Sequence, residues 1–182
     1  MKETKAPKGF QLDKEVYTLT VKAGETATLK VSDTPKVTDN LIELFKIDME
    51  TSNGTPQGNA ALEGAEFVWK YYDGYFTKDN LPSAPTRTWT TKTKAEKGGD
   101  GTIHYITKLA DSYKVSGDSF YTQDGAICLP LGTITVEEKA APNGYLLDGA
   151  YMQANGNSEK ITGVYVAQIT DCLLYTSDAA DD

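Results

Sequence analysis

Apolar and polar positions alternate along most of this chain in short runs that end at turn-forming residues, and apolar residues spaced three and four apart are nearly absent. Such patterning sends successive side chains to opposite faces and predicts β-strands rather than helices. The runs predict strands over 16–22, 26–32, 41–48, 65–72, 75–78, 101–106, 126–129, 133–139, 150–153 and 163–170. Asp73-Gly74, between Tyr72 and Tyr75, fits a two-residue hairpin turn, whose central positions need positive φ. The segment 108–113 carries the one signal for a helical turn. The expected fold class is all-β.

One segment recurs. Glu3, Ala6-Pro7, Gly9-Phe10, Leu12 and Asp13 return as Glu138, Ala141-Pro142, Gly144-Tyr145, Leu147 and Asp148, each pair 135 residues apart. Self-similarity at a fixed offset marks modules in series. Residues 1–36 then read as the end of one module and residues 37–171 as most of a second. Residues 172–182, CLLYTSDAADD, continue no repeat and resemble a translated sequencing adapter, so they are set aside as a scar.

Composition narrows the function. A length of 182 residues suits one domain, or one domain with part of another. With 39% hydrophobic and 24% charged residues, the chain is too apolar for disorder and too polar for a membrane span. Its 26 acids against 18 bases give a net charge of −8, and −5 once Asp178, Asp181 and Asp182 of the tail are set aside; neither value suits a nucleic-acid partner. No apolar run is long enough for a membrane span, and MKETKAPKGF lacks the apolar core of a signal peptide, so an export signal would lie outside this chain. Cys172 falls in the tail, which leaves Cys128 as a lone thiol. His104, the single histidine, reads as a surface strand residue; triads and His-based metal sites have no support, and no cofactor or metal is expected. Gly98–Thr102 and Asn53-Gly54-Thr55 read as turns rather than a phosphate loop or a glycosylation site.

The chemistry lies where charges end apolar rows. Ile42, Leu44 and Lys46 share a face; so do Ile134, Val136 and Glu138, with Glu137 left to solvent. Leu29, Val31 and Asp33 repeat the pattern in the first module, and Ala167, Ile169 and Asp171 in the second. A charge at a strand end is usually a solvated edge charge. Buried, it needs a purpose, because burial without one is costly. Desolvation favours a neutral amine, which is a nucleophile, and a neutral carboxylic acid, which can polarise a carbonyl and relay protons.

The motif E-x-x-A-P-x-G-[FY], preceded in its second copy by LPLGTITVE, resembles the E-box of Cna B-type and SpaA-like domains of Gram-positive cell-wall-anchored adhesins and pilins. LFKID at Lys46, LEGAEFVW over 62–69 and Asp33-Thr34-Pro35 fit the same pattern, and residues 77–124 match it only loosely. The resemblance implies Ig-like, prealbumin-like β-sandwich modules in tandem, with an isopeptide bond that the protein forms on itself. A first-strand lysine, here Lys46, would join a last-strand Asp or Asn, for which Asp171 is the candidate; Glu138 would assist. Glu3 and Asp33 would be the corresponding pair of the first module, with their lysine upstream of Met1. It further implies an extracellular, cell-surface location, wall attachment through regions outside this chain, neighbouring modules as partners, and no turnover enzyme. A ligand-binding module is the competing reading. In it, residues 77–124 would grip a host protein or glycan, and Trp69, Tyr71, Tyr72, Tyr75, Phe76 and Trp89 would line a groove.

Overall fold

A computed structural model describes residues 1–170 except Lys8, 39–41 and Asn155. Eleven strands follow in order among these residues: β1 (Val37–Thr38), β2 (Glu43–Lys46), β3 (Glu66–Tyr72), β4 (Arg87–Lys92), β5 (Lys94–Lys97), β6 (Ile103–Lys108), β7 (Lys114–Gly117), β8 (Tyr121–Gln123), β9 (Ala126–Pro130), β10 (Gly132–Ala140) and β11 (Tyr165–Ile169). A 3₁₀ turn at Lys78–Asn80 is the one helical element among the described residues. All the strand pairings are antiparallel, so the fold is all-β.

The main sheet runs β11-β10-β3-β4-β7, and two three-stranded sheets run β2-β6-β5 and β1-β9-β8. β10 lies inside the main sheet, between β11 and β3, and its first five residues are all buried, as neighbours on both edges and cover on its faces allow. Ile134 and Val136 meet Phe67, Trp69, Tyr71, Trp89, Leu109, Leu129 and Ile169 in the core. Two indole and hydroxyl networks satisfy the polar atoms buried there: Trp69 Nε1 donates to Thr91 Oγ1 (2.8 Å), which also accepts from Thr107 Oγ1 (2.7 Å), and Thr93 Oγ1 donates to the Leu62 carbonyl (2.8 Å).

Several predicted elements differ from the structure. The runs 16–22 and 26–32 alternate correctly but form no ladder; Val16 makes a single bridge to Lys2, and no described residue of 1–36 is buried. Alternation specifies a strand only where an edge is available to pair with it. The Asp73-Gly74 hairpin is absent. Gly74 has φ of +125° and Asp73 does not have positive φ, and the chain leaves β3 to cross the end of β10, where Phe76 N donates to Thr133 Oγ1 and Thr133 Oγ1 donates to the Gly74 carbonyl, both at 2.8 Å. β3 pairs instead with β4, which starts nine places beyond the end of the predicted strand 75–78, part of which is the 3₁₀ turn. The run 150–153 is reduced to a bridge between Met152 and Ile161. Segment 108–113 makes a turn in which Tyr113 N and Lys114 N both donate to the Ala110 carbonyl. Asp171 and 172–182, with Cys172, lie outside the described residues.

Candidate functional site

β2 is short, but its alternation is complete: Ile42, Leu44 and Lys46 are half-buried while Glu43, Phe45 and Ile47 are exposed, and Asp48 just beyond is buried. Its register against β6, with Lys46 opposite Tyr105, holds the Lys46 stem toward the main sheet. On β10, Glu138 stands opposite Phe67, and the ladder slips by one residue between Glu138 and Ala140. A bulge at this point bends the strand and re-aims its side chains. Glu137 turns outward to pair with Lys139 at 2.7 Å, and Glu138 turns inward.

The two inward charges meet. Lys46 Nζ donates to Glu138 Oε2 at 2.9 Å and lies 2.8 Å from Oε1 without hydrogen-bond geometry toward it. The glutamate side chain is 9% exposed and the lysine 17%. Oε1 is therefore buried beside a cation yet accepts no hydrogen bond from any described group. Its negative charge is met instead by the ammonium 2.8 Å away, so both carboxylate oxygens face the one cation.

The pair lines an open groove of about 900 Å³, to which Leu44, Phe45, Phe67, Tyr151, Met152 and Asn157 also contribute. The groove follows the edge of β2 that no described strand occupies, because β2 ends its sheet.

A second link ties the same two segments together. Tyr145 Oη donates to Asp48 Oδ2 at 2.7 Å, while Asp48 Oδ1 accepts from the backbone of Glu50 (2.8 Å) and Thr51 (3.0 Å). These bonds, the Thr51 amide and then the Tyr145 hydroxyl foremost, hold the Asp48 carboxyl well below the usual carboxylate range. Burial, then the Asp48 bond, pushes the Tyr145 phenol up. Sequence reasoning passed over Asp48, although an acid beginning the turn that follows a strand is a recognisable cap for backbone amides.

The repeated corner has one geometry in both copies. Phe10 N donates to the Pro7 carbonyl and Tyr145 N to the Pro142 carbonyl, each at 3.1 Å, and Gly9 and Gly144 both have φ of +86°. A side chain at Gly144 would also strike Ala60 at 2.8 Å. The surroundings differ: Glu3 Oε2 accepts from Asp13 N (2.7 Å), and Glu3 and Asp33 are not joined by any hydrogen bond or ion pair. Asp33 has no hydrogen-bond or ion-pair partner among the described residues, although its neighbour Thr34 accepts from Gln11 N (2.8 Å).

The aromatic residues mostly serve the core. Trp69 and Trp89 are fully buried, Tyr71 and Tyr72 nearly so, and Tyr75 is the exposed one. Residues 77–124 supply β4 to β8 rather than a free loop. His104 lies on β6 with its ring edge-on to exposed Phe45, at 5.7 Å between centroids. Cys128 is buried in β9, and burial pushes its thiol up. Gly98–Thr102 closes the β5–β6 hairpin, Gly98 N donating to the Thr102 carbonyl. Among the described residues no three His, Cys, Asp or Glu side chains converge as a metal site, and no helix is long and apolar enough to cross a membrane. No protein-family model matches the chain, and no curated protein matches it either.

Proposed function

We propose that this chain is a structural and adhesive stretch of a Gram-positive cell-surface protein or pilin, built from Cna B-type sandwich modules in series and stabilised by an isopeptide bond that it forms on itself. The observation that supports the reading most is the largely buried Lys46–Glu138 pair lining an open groove, with both carboxylate oxygens within 2.9 Å of the lysine nitrogen. Two strands from different sheets bring an amine and an acid together at the end of an apolar core, which is the constellation a proton-relayed condensation needs.

In this reading Lys46, as the neutral amine, attacks the side-chain carbonyl carbon of a last-strand Asp or Asn. Glu138 takes a proton from the nitrogen and delivers it to the departing group, so one water leaves from Asp or one ammonia from Asn. Asp171, the candidate acceptor, lies outside the described residues. The link would close a loop of more than about a hundred residues, worth about 4–5 kcal/mol if it acts on chain entropy as a disulfide does. It would also pass tension straight between the first and last strands. Intact mass under denaturing conditions tests this on the chain carried natively past Thr170. The expected mass is short by one water or one ammonia, and Lys46→Ala or Glu138→Ala restores it and lowers stability by about that amount. A full mass in the wild-type chain would reduce the site to a half-buried ion pair.

A further inference from the structure

The bend where β9 runs into β10 carries contacts that reach back to the start of the chain. We propose that this bend, Pro130–Gly132, is a docking seat for the corner at Pro7–Phe10 and fixes the preceding module in one orientation on this one. The proposal rests on the reading of modules in series and adds the surface through which two neighbours join.

Modules joined by a free linker reorient by default. The connection here is paired along its whole length. Gln11 N donates to the Thr34 carbonyl and Lys36 N to the Gly9 carbonyl, both at 2.8 Å, and Phe10 bridges to Pro35 between them. The next two residues are β1, with Val37 opposite Pro130 and Thr38 opposite Leu129. The run 34–38 is therefore zipped first to the corner and then to β9, with no unpaired residue between the two. A swing of one module against the other would have to break these main-chain bonds.

A side-chain contact lies where the two halves of the zipper meet. Gly9, at φ of +86°, presents a bare Cα face, and Leu131 Cδ1 lies 3.7 Å from the place a Cβ would take. In the second copy of the corner the same face of Gly144 is covered by Ala60 of its own module. Both corners thus take an apolar group on that face, and at Gly9 the following module supplies it.

The seat is held from inside the second module. The Leu131 carbonyl accepts from Tyr71 Oη at 2.8 Å, and the Leu131 side chain packs against the core that contains Tyr71. Gly132 next to it runs so close to β3 that a Cβ would lie 2.6 Å from the Tyr72 carbonyl oxygen. Core packing, and not the corner, sets the shape of the bend, so the corner meets a surface already formed.

Backbone amide relaxation and hydrogen exchange on the full chain test the joint. The amides of Gln11 and Lys36 should tumble with the strands of the second module and exchange slowly, while those of 12–33 between them exchange fast. Lys36→Pro removes the donor to the Gly9 carbonyl at a site outside the core, and Leu131→Ala removes the contact on Gly9. Each should free residues 9–11 to move independently and raise the Gln11 exchange rate about tenfold, the scale of one main-chain hydrogen bond. Lys36→Pro should do so with exchange in β10 unchanged. Independent tumbling of 9–11 in the wild-type chain overturns the joint. Tumbling with the second module that survives both variants overturns the seat, because the corner would then be held elsewhere. Protection of 12–33 equal to that of β10 overturns instead the modular reading beneath the proposal, since 1–36 would then belong to one integrated unit.

Discussion

At the scale of single residues, Asp48 shows how one side chain organises a corner. Its two oxygens gather the amides of Glu50 and Thr51, the Gln57 side chain and the Tyr145 hydroxyl, so the end of β2 is bound to the corner of the repeated motif. Because its folded carboxyl titrates below its unfolded value of about 3.9, its contribution is complete above that pH and is lost as pH falls below it. Thermal unfolding followed from pH 6 to pH 2 should therefore fall less steeply for Asp48→Ala than for the wild type. Equal acid slopes would show that Asp48 is not held in its charged form. The cap on the Glu50 and Thr51 amides has a sequence signal, an acid at the start of a turn, whereas the bond to Tyr145, 97 residues away, has none. The inward turn of Lys46 and Glu138 was legible, because alternation fixes the face of each. Their meeting was not, since that depends on which strands stack and on the bulge at Glu138.

At the scale of elements, strands buried on one or both faces were readable and those resting on local chemistry were not. The runs behind β3, β9, β10 and β11 alternate between strongly apolar and polar residues, and their positions follow from the pattern to within two residues. β4, β5 and β7 are rich in Thr and Lys, which fit a pleated surface without marking a core face, so the stretch 87–117 gave weak signals around a buried Trp89. The β4–β7 pairing depends on Gly117: its φ is +108°, and a Cβ there would lie 2.3 Å from the Thr88 carbonyl oxygen, beside the register shift at Thr90. Gly117→Ala should lower the unfolding free energy by about 2–3 kcal/mol, through backbone strain and displacement of β7. Denaturant unfolding measures it, and a loss under about 0.5 kcal/mol would mean that β7 can move aside freely.

At the scale of the whole molecule, burial is uneven. The cores of β3, β4 and β10 exclude water, while the described residues of 1–36 hold on through isolated bridges, Lys2 to Val16 and Phe10 to Pro35, and through the Gly9 corner. Amides of 12–33 should therefore exchange with solvent orders of magnitude faster than those of β10, because such exchange follows local opening. Equal protection would show one integrated unit instead of the end of one module followed by another. The repeat was visible in the sequence because its turn needs Pro and Gly at fixed places, and the shared φ of the two glycines gives that repeat a physical basis. The account's central claim, that Lys46 is the amine of a covalent link, is tested most directly by tryptic digestion and peptide mapping of the chain carried natively past Thr170. Trypsin does not cleave after an acylated lysine, so the account predicts a branched peptide that carries an uncut Lys46 joined to an Asp- or Asn-containing peptide, absent from Glu138→Ala. Quantitative cleavage after Lys46, with both peptides recovered linear, would contradict it.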